Sequence, residues 1–311
     1  MSNTKERLRR SVLVSSGFSR RQLEKGAASE ADVVWLELED GVHPGQKEDA
    51  RLTAAAALNE IDWRGKERVV RVNPVDSPWF EDDMQVIVPA KPDAIIVAKA
   101  RTADDIKYAD SLITKFGGEP AGDEPGIQLG SMIETPQALY NIREIATASP
   151  RMAGLWFGAA DFSYEMQYAN IDLGSRGKIA SAEGLQPELL FARTTIVLTA
   201  RALGLYAIDV GFTGHRDLES CYRDALWTFR LGFDGKMCIS PPQIAHVNRA
   251  YAPTPEMVEW ARSGLKLNDE MNDTGIAVAT LNEYAIFDGP FVKQARRILD
   301  RARLYDEATD G

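Results

Sequence analysis

The stretch "ADVVWLELEDGVHPGQKEDAR", from Ala31 to Arg51, contains the pattern that decides the fold. Its four apolar residues, Val33 to Leu36, predict a buried strand. They run directly into Glu37, Glu39 and Asp40, and a turn rich in Gly and Pro follows at once. Because an unpaired carboxylate is costly to bury, a strand of this kind needs a partner for its acidic end.

The same succession of short apolar strand, polar residues and helical stretch recurs along the chain. We predict eight strands, which begin at Ser11, Asp32, Arg68, Ala94, Ile127, Gly154, Tyr206 and Gly235. The helices predicted between them are Arg20–Glu30, Lys47–Leu58, Pro78–Val88, Thr102–Phe116, Pro136–Ala148, Glu188–Leu203 and Leu218–Leu231. This alternation indicates parallel strands joined by crossover helices.

Eight such units in 311 residues predict an α/β protein, a TIM (β/α)8 barrel. We assign residues 1–250 to the barrel, as the catalytic domain, and residues 251–311 to a C-terminal helical extension. A helix starting near Pro255 behind a Thr254 cap belongs to this extension, which would pack on the barrel mouth or on a neighbouring subunit. An open doubly wound sheet is the alternative, but no GxGxxG motif follows the first strand.

Composition restricts the partners of the chain. The formal net charge is −10, and the only dense basic block is the short "KERLRR" near the start, which argues against nucleic acid. The sequence has no apolar run of about 18 residues and no signal-peptide pattern, so we expect no membrane association and a cytoplasmic protein. Two cysteines without a CxxC motif and three histidines without zinc-ligand spacing leave oxygen atoms as the expected ligands of any metal.

Two acidic residues near strand ends suggest where such a metal would bind. Glu134, in "SMIETP", closes the fifth strand, and Asp161, in "FGAADFS", lies just beyond the sixth. Neighbouring strands lie about 4.8 Å apart, so carboxylates at adjacent ends could hold one hard cation. Mg²⁺ is the expected ion, with Mn²⁺ as the other candidate, because Mg²⁺ needs few protein carboxylates. Either acid alone could instead cap the helix that follows it.

Two basic residues end neighbouring strands. Arg71, in "VVRVN", suits a carboxylate or an enolate oxygen, although it could also neutralise Glu39 or Asp40. Lys99, after "AIIVA", could form a Schiff base or pair with the same two acids. No GxSxG elbow and no phosphate-binding P-loop occur in the sequence.

Together these motifs resemble the citrate lyase β-subunit/malyl-CoA lyase family of the HpcH/HpaI aldolase superfamily. The resemblance covers about residues 10–299 and rests on segments in the family's order: "RRSVLVSSG", "LELEDGVHPGQKEDAR", "VVRVN", "IIVAKARTADD", "MIETPQAL", "FGAADFS", "AIDV" and "GFDGKMCISPPQI". It implies a Mg²⁺-dependent TIM barrel that cleaves or forms a carbon–carbon bond, usually between an acyl-CoA thioester and a 2-oxo acid.

The resemblance also implies roles for individual residues. It places Glu134 and Asp161 on the metal ligands and Arg71 on the arginine that contacts the substrate. Glu39 and Asp40 match an acidic pair that orders metal-bound water and orients the arginine. Lys99 matches a lysine near the mouth, and Asp288 matches an aspartate that family members contribute to the site of a neighbouring subunit.

The residues that would recognise the acyl-CoA or the acid substrate match the family pattern less closely. Arg10, Ser11 and Lys25 are the candidate residues for binding the CoA cofactor portion. Three residues depart from the family pattern: Ser16 replaces a proline, Ser240 replaces a histidine, and Phe18 stands where an aspartate is common. The insert "YANIDLGSRGKIASAEGLQPELLF" also has no close match.

The expected function is therefore a Mg²⁺-dependent aldol- or Claisen-type lyase acting on a malyl-CoA- or citramalyl-CoA-like thioester. The alternatives are a CoA-independent aldolase for a free 2-oxo acid of the pyruvate type, a malyl-CoA-type thioesterase, and a non-catalytic metabolite-binding subunit. The resemblance further implies a homo-oligomer, either a trimer or a hexamer.

Overall fold

The structure is a computed structural model and describes residues 7–118, 126–169, 186–275, 277–282 and 285–309. The chain divides into two compact units. The first spans Arg9–Ala250, and the second consists mainly of the residues from Tyr251 onward.

Eight parallel strands close the first unit into a barrel in sequence order, which confirms the predicted TIM barrel. The strands are β1 (Ser11–Ser16), β2 (Val33–Glu37), β3 (Glu67–Val72), β4 (Ala94–Val97), β5 (Gln128–Ile133), β6 (Met152–Phe157), β7 (Tyr206–Asp209) and β8 (Gly235–Cys238). Closure occurs where β8 pairs with β1, with Lys236 opposite Ser11. All the strands therefore present their carboxyl ends at one mouth.

Helices follow the strands around the barrel. They are α1 (Arg20–Ala27), α2 (Lys47–Glu60), α3 (Phe80–Ile87), α4 (Ala103–Lys115), α5 (Pro136–Tyr140), α6 (Ile142–Ala146), α7 (Ala159–Glu165), α8 (Leu190–Leu203), α9 (Leu218–Leu231) and α10 (Gln243–Tyr251). The single helix predicted for residues 136–148 is in fact two, because Asn141 interrupts it and donates a hydrogen bond to the Arg101 carbonyl at 2.9 Å. Helix α7, after β6, was not predicted.

Apolar side chains from every strand fill the barrel interior. At its centre the Trp35 and Trp156 rings meet edge to face at 5.0 Å, and Tyr206 contacts Trp156 at 5.9 Å. Side chains alternate along a strand, so residues two positions beyond these interior ones point the same way and into the mouth. This rule places Glu37, two residues after Trp35, at the floor of the mouth.

The second unit contains α11 (Pro255–Thr274), a hairpin of β9 (Ala279–Asn282) and β10 (Ala285–Phe287), and α12 (Gly289–Thr309). Thr254 caps α11 by accepting a hydrogen bond from the Met257 amide, which confirms the predicted cap. The unit has its own apolar core, in which Phe287 packs against Trp260 and Phe291 at 5.7 and 6.2 Å. Within the described part of the chain, no helix is long and apolar enough to cross a membrane.

The barrel core makes a prediction about Gly154 on β6. A Cβ at this position would lie 2.0 Å from Cε2 of Tyr206, whose ring is packed against Trp156. We expect Gly154→Ala to lower the free energy of unfolding by about 1–3 kcal/mol or more through overpacking. The matched control is Gly45→Ala, where a Cβ would be 3.5 Å from its nearest neighbour and should change stability by less than about 0.5 kcal/mol. Urea unfolding measures both, and equal stabilities would contradict the described packing.

Candidate active site

The charged site lies at the carboxyl ends of β2 to β6. Residues Glu37 and Arg71 are direct neighbours in the β2–β3 register. Glu134 directly follows β5 and is 1% exposed. Each of these residues lies two positions beyond an interior apolar side chain, so strand alternation directs all three toward the mouth.

Arg71 is the centre of the cluster. Its Nε donates to Oε2 of Glu37 at 2.8 Å, its Nη2 lies 3.0 Å from Oε2 of Glu39, and its Nη1 lies 3.9 Å from Oε2 of Glu134. Burial alone would lower the pKa of Arg71, but the carboxylates of Glu37, Glu134 and Glu39 outweigh it and raise the pKa. The guanidinium is therefore permanently charged and held in one plane by its acidic neighbours.

Glu37 is the principal partner of Arg71 and was not among the predicted site residues. Its Oε2 also accepts a hydrogen bond from Trp35 Nε1 at 2.8 Å, and its Oε1 accepts one from the Glu39 amide. The carboxylate thus links the tryptophan of the barrel core, the arginine and the turn after β2. Alternation along β2 was the available signal, since it places Glu37 on the face of Trp35.

Lys99 is an ion-pair partner of the acidic turn. Its Nζ lies 2.6 Å from Oε1 of Glu39, 3.1 Å from Oδ2 of Asp40 and 4.0 Å from Oδ2 of Asp161. Burial would lower the pKa of Lys99, but the hydrogen bond and charge of Glu39 reverse this and raise it. The geometry therefore favours the ion pair over the Schiff base, since a Schiff-base lysine reacts as the free amine. The backbone of Lys99 has φ of 51°, and its amide donates to Oε1 of Glu134 at 2.6 Å.

The positive charge around Glu134 is too small to offset the cost of burying its ionised carboxylate. Burial raises its pKa to about 7, with further contributions from the charges of Glu39 and Asp161, while Arg71 opposes the shift. The helix that follows β5 is capped by Thr135, whose side chain accepts from the Ala138 amide. Glu134 is therefore not a helix cap, and an added cation would stabilise its ionised form.

Asp161 lies in the first turn of α7 and faces the same group of charges. Its side chain is 38% exposed, in contrast to the buried Glu134. It contributes to the raised pKa of Glu134, which places the two carboxylates within electrostatic reach of each other. The cap position of α7 is Gly158.

The cluster is acidic overall. Arg71 and Lys99 are in contact with the carboxylates of Glu37, Glu39, Asp40, Glu134 and Asp161. Among the described residues, no group of three or more His, Cys, Asp or Glu side chains has the arrangement of a metal site. Mg²⁺ commonly uses one or two carboxylates with water and substrate oxygens, so Glu134 and Asp161 fit it as a pair. The excess negative charge is the structural reason to expect such an ion.

Two of the predicted cofactor-binding residues lie at the end of the barrel opposite the mouth. Arg10 precedes β1 and forms a two-point ion pair with Asp32, with both N–O distances at 2.7 Å. Ser11 is the first residue of β1 and is fully buried. Amino ends of the strands are opposite the mouth, so the structure does not bring these two side chains together with the charged cluster, and their role in binding CoA stays a prediction. Lys25 is exposed on the last turn of α1, and its predicted role also stays a prediction.

Asp288 belongs to the second unit and directly precedes α12. Its Oδ1 is buried and has no hydrogen-bond partner among the residues that the structure describes. The predicted role in a neighbouring subunit's site stays a prediction. Residues 170–185 of the insert "YANIDLGSRGKIASAEGLQPELLF" lie outside the described residues.

These features define an α/β barrel with a charged mouth suited to a divalent cation and an acidic substrate. Residues 10–241 match the family described as HpcH/HpaI aldolase/citrate lyase. The chain belongs to this family, which confirms the resemblance and, at the level of family, the prediction of a lyase.

Three similar proteins share nearly the whole length of the chain. The citrate lyase subunit beta of Leuconostoc mesenteroides subsp. cremoris is 34% identical over 96% of this chain and 94% of its own. The L-malyl-CoA/beta-methylmalyl-CoA lyase of Rhodobacter capsulatus is 31% identical over 96% of each. The crystal structure of protein CitE from Mycobacterium tuberculosis, in complex with magnesium, acetoacetate and coenzyme A, has a TM-score of 0.76 and 26% identity over 94% of this chain and 97% of that one.

The packing of Glu134 against the residue that follows β6 predicts a way to displace its side chain. A Cβ at Gly158 would lie 2.4 Å from Cβ and 2.5 Å from Oε2 of Glu134, and 3.0 Å from Cε of Met132, so Gly158→Ala must displace the Glu134 side chain. We expect the dissociation constant for Mn²⁺, measured by electron paramagnetic resonance, to rise about 10-fold or more. Gly211→Ala, which introduces a Cβ 3.0 Å from Ile239 on the other side of the mouth, is the control and should leave it unchanged. Equal affinities in the two variants would contradict a metal site at Glu134.

Proposed function

We propose that the protein is a Mg²⁺-dependent carbon–carbon lyase that cleaves or forms a 2-hydroxy acid acyl-CoA thioester of the malyl-CoA or citramalyl-CoA type. The observation that carries this proposal is the cluster itself, in which Arg71 lies beside a pair of carboxylates suited to a metal. Membership of the HpcH/HpaI family and the names of the relatives support the reaction class.

Glu134 and Asp161 are the proposed metal ligands. A Mg²⁺ ion bound there would act as a Lewis acid on the oxygens of a 2-oxo or 2-hydroxy acid. The buried Glu134 carboxylate, whose pKa is raised to about 7 by burial, would gain most from such an ion. Magnesium in the related Mycobacterium tuberculosis structure supports this choice, and Mn²⁺ is the other candidate.

Arg71 is the proposed stabiliser of the charge that develops when the carbon–carbon bond breaks. Carbon–carbon cleavage leaves an enolate oxygen on the departing fragment, and a guanidinium fixed beforehand stabilises it without reorganising. Glu37 and Glu39 hold Nε and Nη2, so Nη1, 3.9 Å from Glu134, is the nitrogen without a short contact to either of them. Arg71 thereby lies between the metal ligands and the acidic turn.

Asp40 and Asp288 are the candidates for proton transfer. Burial would raise the pKa of Asp40, but its hydrogen bonds with Glu39 and Lys99 lower it overall. Asp288, contributed by a neighbouring subunit, is the candidate general acid or base, and water ordered by Glu39 and Asp40 is the alternative. Glu39, Asp40 and Lys99 would instead order water around the metal and keep Arg71 oriented.

Two further parts of the proposal are the identity of the substrate and its need to be a CoA thioester. Relatives named for malyl-CoA and a neighbour containing coenzyme A favour a thioester. Ser16, Phe18 and Ser240 depart from the family pattern near the mouth, which supports a CoA-independent 2-oxo acid aldolase as the second candidate. A thioesterase would use the same site with water as acceptor. We also propose a cytoplasmic homo-oligomer, a trimer or a hexamer.

A substrate panel distinguishes these candidates. With Mg²⁺ present, we expect mass spectrometry to detect condensation of acetyl-CoA or propionyl-CoA with glyoxylate, pyruvate or oxaloacetate, and cleavage of the products. EDTA and Glu134→Gln should each abolish turnover, because both remove the cation from the site.

Two other outcomes of this substrate panel would each identify one of the alternative functions. Cleavage of free hydroxy-oxo acids without CoA would establish the aldolase, and release of free CoA without carbon–carbon cleavage would establish the thioesterase. Full turnover in excess EDTA would disprove the metal dependence. The circular dichroism spectrum of Glu134→Gln serves as the control for folding.

The shared-site proposal for Asp288 predicts complementation between two inactive variants. Arg71→Ala should lower turnover by about 100- to 1,000-fold, the cost of losing one donor to a developing anion. Mixing Arg71→Ala chains with Asp288→Asn chains should restore part of the activity, because some sites then contain both intact residues. Native mass spectrometry verifies that mixed oligomers form, and no recovery in such oligomers would place Asp288 outside the neighbouring site.

A further inference from the structure

Lys47 is a buried cation behind the acidic turn that follows β2. The residue is 6% exposed, and its Nζ donates three hydrogen bonds. They go to the Leu38 carbonyl at 2.8 Å, the Glu39 carbonyl at 2.7 Å and Oδ1 of Asn73 at 2.7 Å. All three acceptors are neutral oxygens, so the ammonium group is fully hydrogen-bonded but is not part of a direct ion pair.

A second layer of hydrogen bonds fixes the partners of Lys47. Asn73 is 1% exposed, and its Nδ2 donates to the Leu38 carbonyl at 3.0 Å and to Oδ2 of Asp83 at 2.6 Å. Asp83 is in turn held by Nε of Arg51 at 3.0 Å. The Lys47 ammonium is therefore seated in a rigid polar network between β2, β3, α2 and α3.

Two features of the position of Lys47 oppose a positive charge there. It is the first residue of α2, where the helix dipole favours acidic side chains rather than basic ones. Burial lowers its pKa despite the nearby charge of Glu39, which shows that removing this ammonium from water has a cost. A methionine would avoid that cost, but it would leave the Leu38 and Glu39 carbonyls and Oδ1 of Asn73 without the donor that Lys47 supplies.

What Lys47 holds is the main chain of a site residue. Glu39 is anchored at both ends: its carbonyl accepts from Lys47, while its carboxylate bridges Lys99 at 2.6 Å and Arg71 at 3.0 Å. If the peptide between Leu38 and Glu39 rotated, the carboxylate could no longer reach both cations. We propose that Lys47 is a positioning residue that fixes this peptide, so that Glu39 holds Arg71 in its catalytic orientation.

The proposal rests on the proposed lyase function, and Lys47→Met tests it. We expect kcat to fall about 100-fold, the typical consequence of misplacing a catalytic group by about 1 Å, with KM for the acid substrate unchanged. The Mn²⁺ affinity should stay at the wild-type value, because Glu134 and Asp161 make no hydrogen bond to Lys47. An unchanged kcat in the folded variant would disprove the proposal.

Arg151→Met is the matched control. Arg151 is also a cation that donates to two main-chain carbonyls, those of Gly118 at 3.1 Å and Ile127 at 3.5 Å. It differs from Lys47 in its ion pair with Asp110 at 2.7 Å and in its place at the amino end of β6. It should lower the unfolding temperature as Lys47→Met does, without lowering kcat. An equal loss of kcat in both variants would show that lost stability alone explains the effect.

A double-mutant cycle with Glu39→Gln separates positioning through Glu39 from an independent role. If Lys47 acts through Glu39, Lys47→Met should add almost no loss of kcat to that of Glu39→Gln. If the two losses multiply, Lys47 does not act through Glu39 and the proposal is wrong. Should Lys47→Met fail to fold, Asn73→Ala takes its place, since it removes one acceptor of Lys47 and one donor to Leu38.

Amide hydrogen exchange tests the positioning without any turnover. Glu39 and Asp40 donate their amides to the carboxylates of Glu37 and Glu39, so loosening of the turn exposes them. We expect exchange in a peptide covering residues 36–46 to accelerate at least about 10-fold in Lys47→Met and not in Arg151→Met. Unchanged exchange in Lys47→Met would overturn the role of Lys47. If exchange accelerates in Lys47→Met but the wild-type protein has no lyase turnover, the role of Lys47 stands and only the proposed function is disproved.

Discussion

One guanidinium shared among three carboxylates is the interaction on which the site depends. Arg71 contacts Glu37, Glu39 and Glu134 in a space where only 12% of its side chain reaches solvent. In such surroundings an unpaired charge costs several kcal/mol, so removing Arg71 would leave the three carboxylates without their shared cation. The acids still outnumber the bases, and Lys99 does not close the gap. A divalent cation would offset this imbalance, so the electrostatics of the cluster support the proposed metal independently of the family.

The barrel supplies this arrangement through its register and its core. Glu37 and Arg71 are paired neighbours on β2 and β3, so their side chains project next to each other from the barrel strands. Beneath them Trp35 and Trp156 close the interior and keep water from the floor of the mouth. Trp35 also donates to Glu37, so one side chain both completes the apolar core and orients the first acid of the site. The low dielectric that raises the pKa of Glu134 has the same origin.

The sequence predicted the barrel well because each strand is an apolar run that a polar residue ends, and this signal is local. It also found Arg71 and Glu134, since both end a strand on its interior side. It missed Lys47, whose contacts with Leu38 and Asn73 depend on how a loop folds back over the strand ends. The sequence did not show that Arg10 lies away from the mouth, because a family motif locates a residue along the chain but not at one end of the barrel.

Asp209 shows that an acidic strand end is not by itself a site residue. It ends β7, as Glu37 ends β2, yet it is fully buried in an ion-pair network with Arg193 at 2.9 Å and Lys236 at 2.6 Å. The difference is parity: Ile208 belongs to the barrel interior, so the next residue points outward to the helices. Strand parity relative to the interior core therefore separates the acids of the site from the acids of the wall, and it can be read from a sequence once the strands are known.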